Sequence, residues 1–159
     1  MNSLLVKAID KVFPPKIVYA HCDIPCGIYD PYVAQVAAHT VLRMSTLLNG
    51  QKDDIHAVAR LTAVKEEHAE IIKHEIAILW ADYFKPEHLK ETPDLHDLVF
   101  NTLKLASKAK QNVDEEMANE LLESVQKIAV IFWMTKGIES EKVKAPYPTG
   151  KDLVVPKLK

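Results

Sequence analysis

Both cysteines of the chain lie in one short stretch, HCDIPCGIYDP, residues 21–31. His21 directly precedes Cys22, Cys26 follows four positions on, and Pro25 and Gly27 flank the second sulfur. Proline and glycine favour a turn over a helix, so the segment can curl and bring both sulfurs to one point. Three chemistries compete for such a pair. Free cysteine is often only a small buried apolar residue, although this segment is polar and turn-rich. A redox disulfide usually appears as Cys-x-x-Cys at a helix start in a βαβ setting, and neither condition holds here. The third is a metal site. Structural zinc wants four side-chain ligands, whereas the hook offers three, His21, Cys22 and Cys26, and no second cysteine pair exists. Square-planar nitrogen and sulfur sets favour Ni(II) or Cu(II). If His21 became the first residue, its free amine, the Cys22 amide nitrogen and two thiolates would complete a plane. The His21 imidazole could then reach an axial position.

That geometry depends on what precedes the hook. Residues 1–20 lack the uninterrupted apolar centre of a secretory signal, because Lys7, Asp10 and Lys11 break it. They read as a leader or pro-segment removed on maturation. The alternative is an amphipathic helix (Leu4, Leu5, Ala8, Val12) that stays attached.

The remainder must position the hook, and it reads as helix. Asp30 is a good N-cap and Pro31 suits a first helical position. Val33, Val36, Ala37, Thr40, Met44, Leu47 and Leu48 follow at helical spacing, and Asn49-Gly50 stops them. Asp53 or Asp54 caps a second stripe of Ile55, Val58, Ala59, Thr62, Ala69, Ile72, Ile76, Leu79 and Tyr83. That stripe is broken near Lys65-Glu66 and ended by Pro86. Thr92-Pro93 opens a third helix, with Leu95, Val99, Thr102 and Ala109 on its face. A fourth starts near Asp114, uses Leu121, Val125, Ile128 and Phe132, and closes at Gly137. The last 21 residues carry three prolines and no helical period; they are expected to run extended over a surface or to be mobile. The expected fold is therefore all-α, an antiparallel up-down four-helix bundle. Its expected organisation is leader 1–20, hook 21–31, bundle 32–138 and extended tail 139–159.

Composition narrows the function classes. A net charge of -2 gives no reason to expect a nucleic-acid partner. Four glycines in 159 residues argue against glycine-rich phosphate loops, and no apolar run is long enough to span a bilayer. Di-iron bundles use Glu-x-x-His pairs on facing helices, and none of the seven histidines has a glutamate three residues before it.

HCDIPCGIYDP closely resembles the nickel-binding hook of nickel-containing superoxide dismutases, which follows a removable leader. ILWADYFKPEH (78–88) and IFWMTK (131–136) also look like that family, so the resemblance covers roughly residues 21–137. It implies a superoxide dismutase that uses one nickel ion per subunit and a Ni(III)/Ni(II) cycle to convert superoxide to dioxygen and hydrogen peroxide. Metal ligands would be His21 (amine and axial imidazole), Cys22 (amide nitrogen and thiolate) and Cys26. Asp23 and Pro25 would shape the hook, Tyr29 would stand beside the open face as a candidate proton donor, and Tyr83 would be the second tyrosine. A protease would cut between Ala20 and His21, and the assembly would be a homohexamer. Thiols kept reduced before metal loading fit the cytoplasm.

The sequence departs from the best-known form of the family, in which a glutamate and an arginine orient the axial imidazole. Ala37 and His68 stand at those positions, so His68, His39 or Glu67 is expected to substitute. Lys85 is a candidate for attracting an anionic substrate. Trp80 and Trp133 read as packing. The alternative function is a non-catalytic Zn or Ni binding four-helix module, against which a single hook is few ligands for storage.

Overall fold

The computed structural model describes residues 27–51 and 53–157; the expected leader, 1–20, and His21, Cys22, Asp23, Pro25 and Cys26 of the expected hook lie outside the described residues. The described chain is mostly helical. Five helices, α1 (Tyr32–Gly50), α2 (Ile55–Ile78), α3 (Pro86–Glu91), α4 (Leu95–Gln111) and α5 (Glu115–Thr135), precede two strands, β1 (Ser140–Lys144) and β2 (Asp152–Pro156).

Aspartate side chains cap two of the long helices. Asp54 Oδ1 accepts from the Ala57 amide at 3.0 Å and Asp114 Oδ1 from Met117 at 2.9 Å, which satisfies amides that have no partner inside the helix. Gly137, at φ +69, reverses the chain after α5. α1 packs on α2 and α5, and α4 packs on α2 and α5, so the four long helices enclose one core. Its centre is Val41, Ile72, Ile76, Leu95, Leu121, Val125, Ile128 and Phe132.

Three expectations are corrected. Pro86 does not simply end the second helix. The α-helix stops at Ile78, a π turn spans Leu79–Tyr83, and Pro86 instead opens α3, where its missing amide proton costs nothing. The fold is not purely α: the tail runs extended over the surface of α5, but two segments of it form a hairpin. β1 and β2 pair antiparallel, with Val143 opposite Leu153, and pack on α5. The buried face of α1 is also rotated from the expected stripe. Of that stripe only Ala37 and Leu48 are buried, whereas Val33 is half exposed. Ala34, Ala38, Val41 and Leu42 turn inward instead, and the polar Gln35 and His39 are buried beneath the hairpin.

The break in the second stripe has a physical cause. Lys65 is 1 % exposed, and its ammonium donates to the carbonyls of Ala109 (2.5 Å) and Lys110 (2.7 Å). It caps the end of α4, where carbonyls lack partners within the helix. Burial lowers its pKa, an effect that the neighbouring Glu66 opposes. Among the described residues no helix is long and apolar enough to cross a membrane.

Candidate metal centre

The described residues begin at Gly27, within the expected hook. Gly27, next to Cys26, has φ +72, a left-handed conformation that side chains rarely adopt. A Cβ there would meet nothing within 4 Å, so backbone geometry and not space calls for glycine. Tyr29 is half-buried against the core. Asp30 Oδ1 accepts from the Tyr32 amide at 2.7 Å and anchors the hook's root to the first turn of α1.

The π turn supplies the facing wall. Its wide register, with the Phe84 amide donating to the Leu79 carbonyl at 2.9 Å, ends on Tyr83. Such turns occur often at functional sites. The Tyr83 ring lies 5.5 Å from Tyr29, 4.6 Å from Phe132 and 5.7 Å from His88, centroid to centroid. Its hydroxyl is 2.8 Å from Thr135 Oγ1. The Lys136 ammonium sits over the Tyr83 and Phe132 rings, 5.4 and 5.1 Å from their centroids. The Lys85 amide donates to His88 Nδ1 at 3.2 Å, which makes that nitrogen an acceptor.

Gly27, Tyr29, Asp82, Tyr83, Lys85, His88, Thr135 and Lys136 line a pocket of about 410 Å³. The structure thus brings Tyr29, Tyr83 and Lys85 together beside the hook's exit. His88, Thr135 and Lys136 were not singled out by sequence. The available signal was helical: Thr135 and Lys136 lie three and four residues beyond the core residue Phe132, on one face.

The positions expected to orient the axial imidazole fare differently. Ala37 is buried and has no polar group. His39 is 2 % exposed and committed to the hairpin: Nε2 donates to the Asp152 carbonyl at 3.1 Å, and Nδ1 faces the Thr149 hydroxyl at 2.8 Å. Burial pushes the His39 pKa below 6.5, against the opposing pull of Asp152. Glu67 is exposed. His68 is half-buried and donates from Nδ1 to the Val64 carbonyl at 2.9 Å, one turn back on its own helix. Trp133 is nearly buried and edge-on to Phe132, in keeping with packing, and Trp80 meets His96 edge-on.

Among the described residues no group of three or more His, Cys, Asp or Glu could hold a metal ion. The expected hook residues would offer two thiols, an imidazole and backbone nitrogen, a soft and nitrogen-rich set whose chemistry fits nickel.

The family described as nickel-containing superoxide dismutase matches residues 16–136, a stretch that includes the hook and stops before the hairpin. The superoxide dismutase [Ni] of Streptomyces coelicolor is 43% identical over 129 residues, 80% of this chain and 98% of that protein. Its counterpart from Streptomyces seoulensis is 41% identical over the same length. A native nickel superoxide dismutase structure aligns with TM-score 0.69 at 44% identity, covering 73% of this chain and 99% of that one. A structure described as having nickel ligation of the oxidised state aligns at 0.70 and 41%, covering 74% and 99%.

Proposed function

This chain belongs to the nickel-containing superoxide dismutase family, an oxidoreductase acting on superoxide with nickel as cofactor, and from that premise we propose how it works. His21, Cys22 and Cys26 hold the metal, with the His21 amine freed by proteolysis after Ala20. Bound nickel supplies a one-electron couple, Ni(III)/Ni(II), that thiolate and amide donors make accessible. In the net reaction one superoxide loses an electron and leaves as dioxygen. A second gains that electron and two protons and leaves as hydrogen peroxide.

The protein's own residues bind, orient and restrict access. Tyr29 narrows the approach and is placed to pass a proton, and Asp23 shapes the hook. Lys85 and Lys136 put positive charge on the pocket that receives an anion. Among the described residues neither is within ion-pair distance of a carboxylate. Asp82 on the same pocket offsets part of that charge. The observation that carries this reading is the pocket itself, which opens at Gly27, one residue from a proposed ligand, and is walled by two tyrosines and two lysines.

We read the four long helices as an up-down antiparallel bundle with the hook at its root. The assembly is a homohexamer in the cytoplasm, and the exposed Tyr32 and Val33 at the start of α1 offer apolar surface for subunit contact. The test couples metal content to rate. About one nickel per chain with rapid superoxide removal, both lost in Cys22→Ser and Cys26→Ser, supports the reading. Zinc in place of nickel without activity, or full activity in either variant, overturns it.

A further inference from the structure

Two hydroxyls at the pocket wall end on one carbonyl. Thr135 Oγ1 is 2.8 Å from the Phe132 carbonyl oxygen and 2.8 Å from the Tyr83 hydroxyl. A carbonyl oxygen only accepts, so the single Thr135 proton goes to Phe132. Thr135 Oγ1 then has only lone pairs to offer Tyr83, and the Tyr83 O–H donates to it. The direction runs from Tyr83 through Thr135 into the last turn of α5. The Tyr83 ring is fixed as well, between Phe132, Tyr29 and His88, with the Lys136 ammonium on it.

We propose that Thr135 is a positioning residue for superoxide dismutation: it accepts the hydrogen bond of the Tyr83 hydroxyl and leaves Tyr83 a hydrogen-bond acceptor toward the pocket. This rests on the dismutase reading above and deepens it. The two protons required by peroxide then do not come from Tyr83 while that bond holds. The Tyr83 oxygen instead orients whatever donor enters the pocket, and the proton path runs along the Tyr29 side or from solvent.

The bond can be read without nickel or turnover. The ultraviolet resonance Raman doublet of a tyrosine distinguishes a donating hydroxyl from an accepting one. Subtracting the spectrum of Tyr83→Phe from that of the full chain isolates Tyr83. A donor signature is expected in the parent and in Thr135→Ser, and its loss in Thr135→Val. An acceptor signature in the parent would overturn the assignment. Activity gives the second readout. Thr135→Val should slow dismutation about three- to tenfold, the range expected for one lost hydrogen bond, and Thr135→Ser should restore it. In a Tyr83→Phe background Thr135→Val should cost nothing more, because its effect passes through Tyr83. An equal loss in both backgrounds would show that Thr135 acts otherwise. A parent chain that removes no superoxide would remove the dismutase reading alone, and the Raman result would still decide whether Thr135 sets the Tyr83 hydroxyl.

Discussion

Replacing Gln35 with alanine should release the C-terminal hairpin. The Gln35 carboxamide donates to the Val154 carbonyl at 3.0 Å and accepts from the Val154 amide at 2.8 Å, with Gln35 1 % and Val154 2 % exposed. The side chain therefore stands in for a neighbouring strand. Alanine strands both backbone groups, at about 1–3 kcal/mol each if the hairpin stays docked. Undocking sets a ceiling, since it returns the buried Leu153 and Val154 to water at roughly 1.5–3 kcal/mol each. The expected loss is about 2–4 kcal/mol, or a melting temperature lower by about 5–15 °C for a domain of this size. Amide exchange should localise the effect, with Val154 losing protection while core amides such as Ile128 keep theirs. Gln35→Leu should cost a similar amount despite its greater apolarity, because the missing quantity is hydrogen bonding. A protected Val154 amide and an unchanged melting temperature in Gln35→Ala would refute this reasoning.

Acid should loosen the same hairpin. The folded pKa of His39 is lowered, so its stabilisation is present above about pH 6.5 and is lost as pH falls through the folded value. Melting temperatures between pH 7.5 and 5 should fall more steeply in the parent than in His39→Gln; parallel curves would count against the assignment. Gly27→Ala should strain the backbone by about 1–2 kcal/mol and weaken nickel retention by about 5- to 30-fold in a chelator competition, with melting of the helices unchanged. Lys65→Met leaves the Ala109 and Lys110 carbonyls without their donor and should destabilise the fold by about 1–3 kcal/mol in urea. Intact mass of the active protein should correspond to a chain beginning at His21, and an active form that retains Met1 would refute the free-amine ligand.

What the sequence made legible follows from how local each signal is. Caps are local, so Asp54 and Asp114 marked the starts of two long helices before any packing was known. The family was legible because six residues carry both sulfurs in a specific motif, and the family match over residues 16–136 agrees with that resemblance. Burial set by distant partners was not. Gln35 lies outside the expected apolar stripe and His39 reads as a candidate site residue, yet a hairpin more than a hundred positions later covers both. Lys65 interrupts an apolar stripe only until the end of α4 is placed over it. β1, Ser-Glu-Lys-Val-Lys, has a single apolar residue and no alternation to read; its pairing with Leu153 and Val154 defines it. In the pocket, Tyr83 stood out within a recognisable segment. Thr135 and Lys136 lie in the equally recognisable IFWMTK, but their place beside Tyr83 depends on α5 bringing them against its ring.

The central claim is that nickel is bound through the sulfurs of Cys22 and Cys26. Nickel-edge X-ray absorption on the purified active protein tests it most directly. A coordination shell containing two sulfur scatterers together with nitrogen is expected, with both sulfurs reduced or lost in Cys22→Ser and Cys26→Ser. A shell of nitrogen and oxygen alone in the active parent would contradict the account.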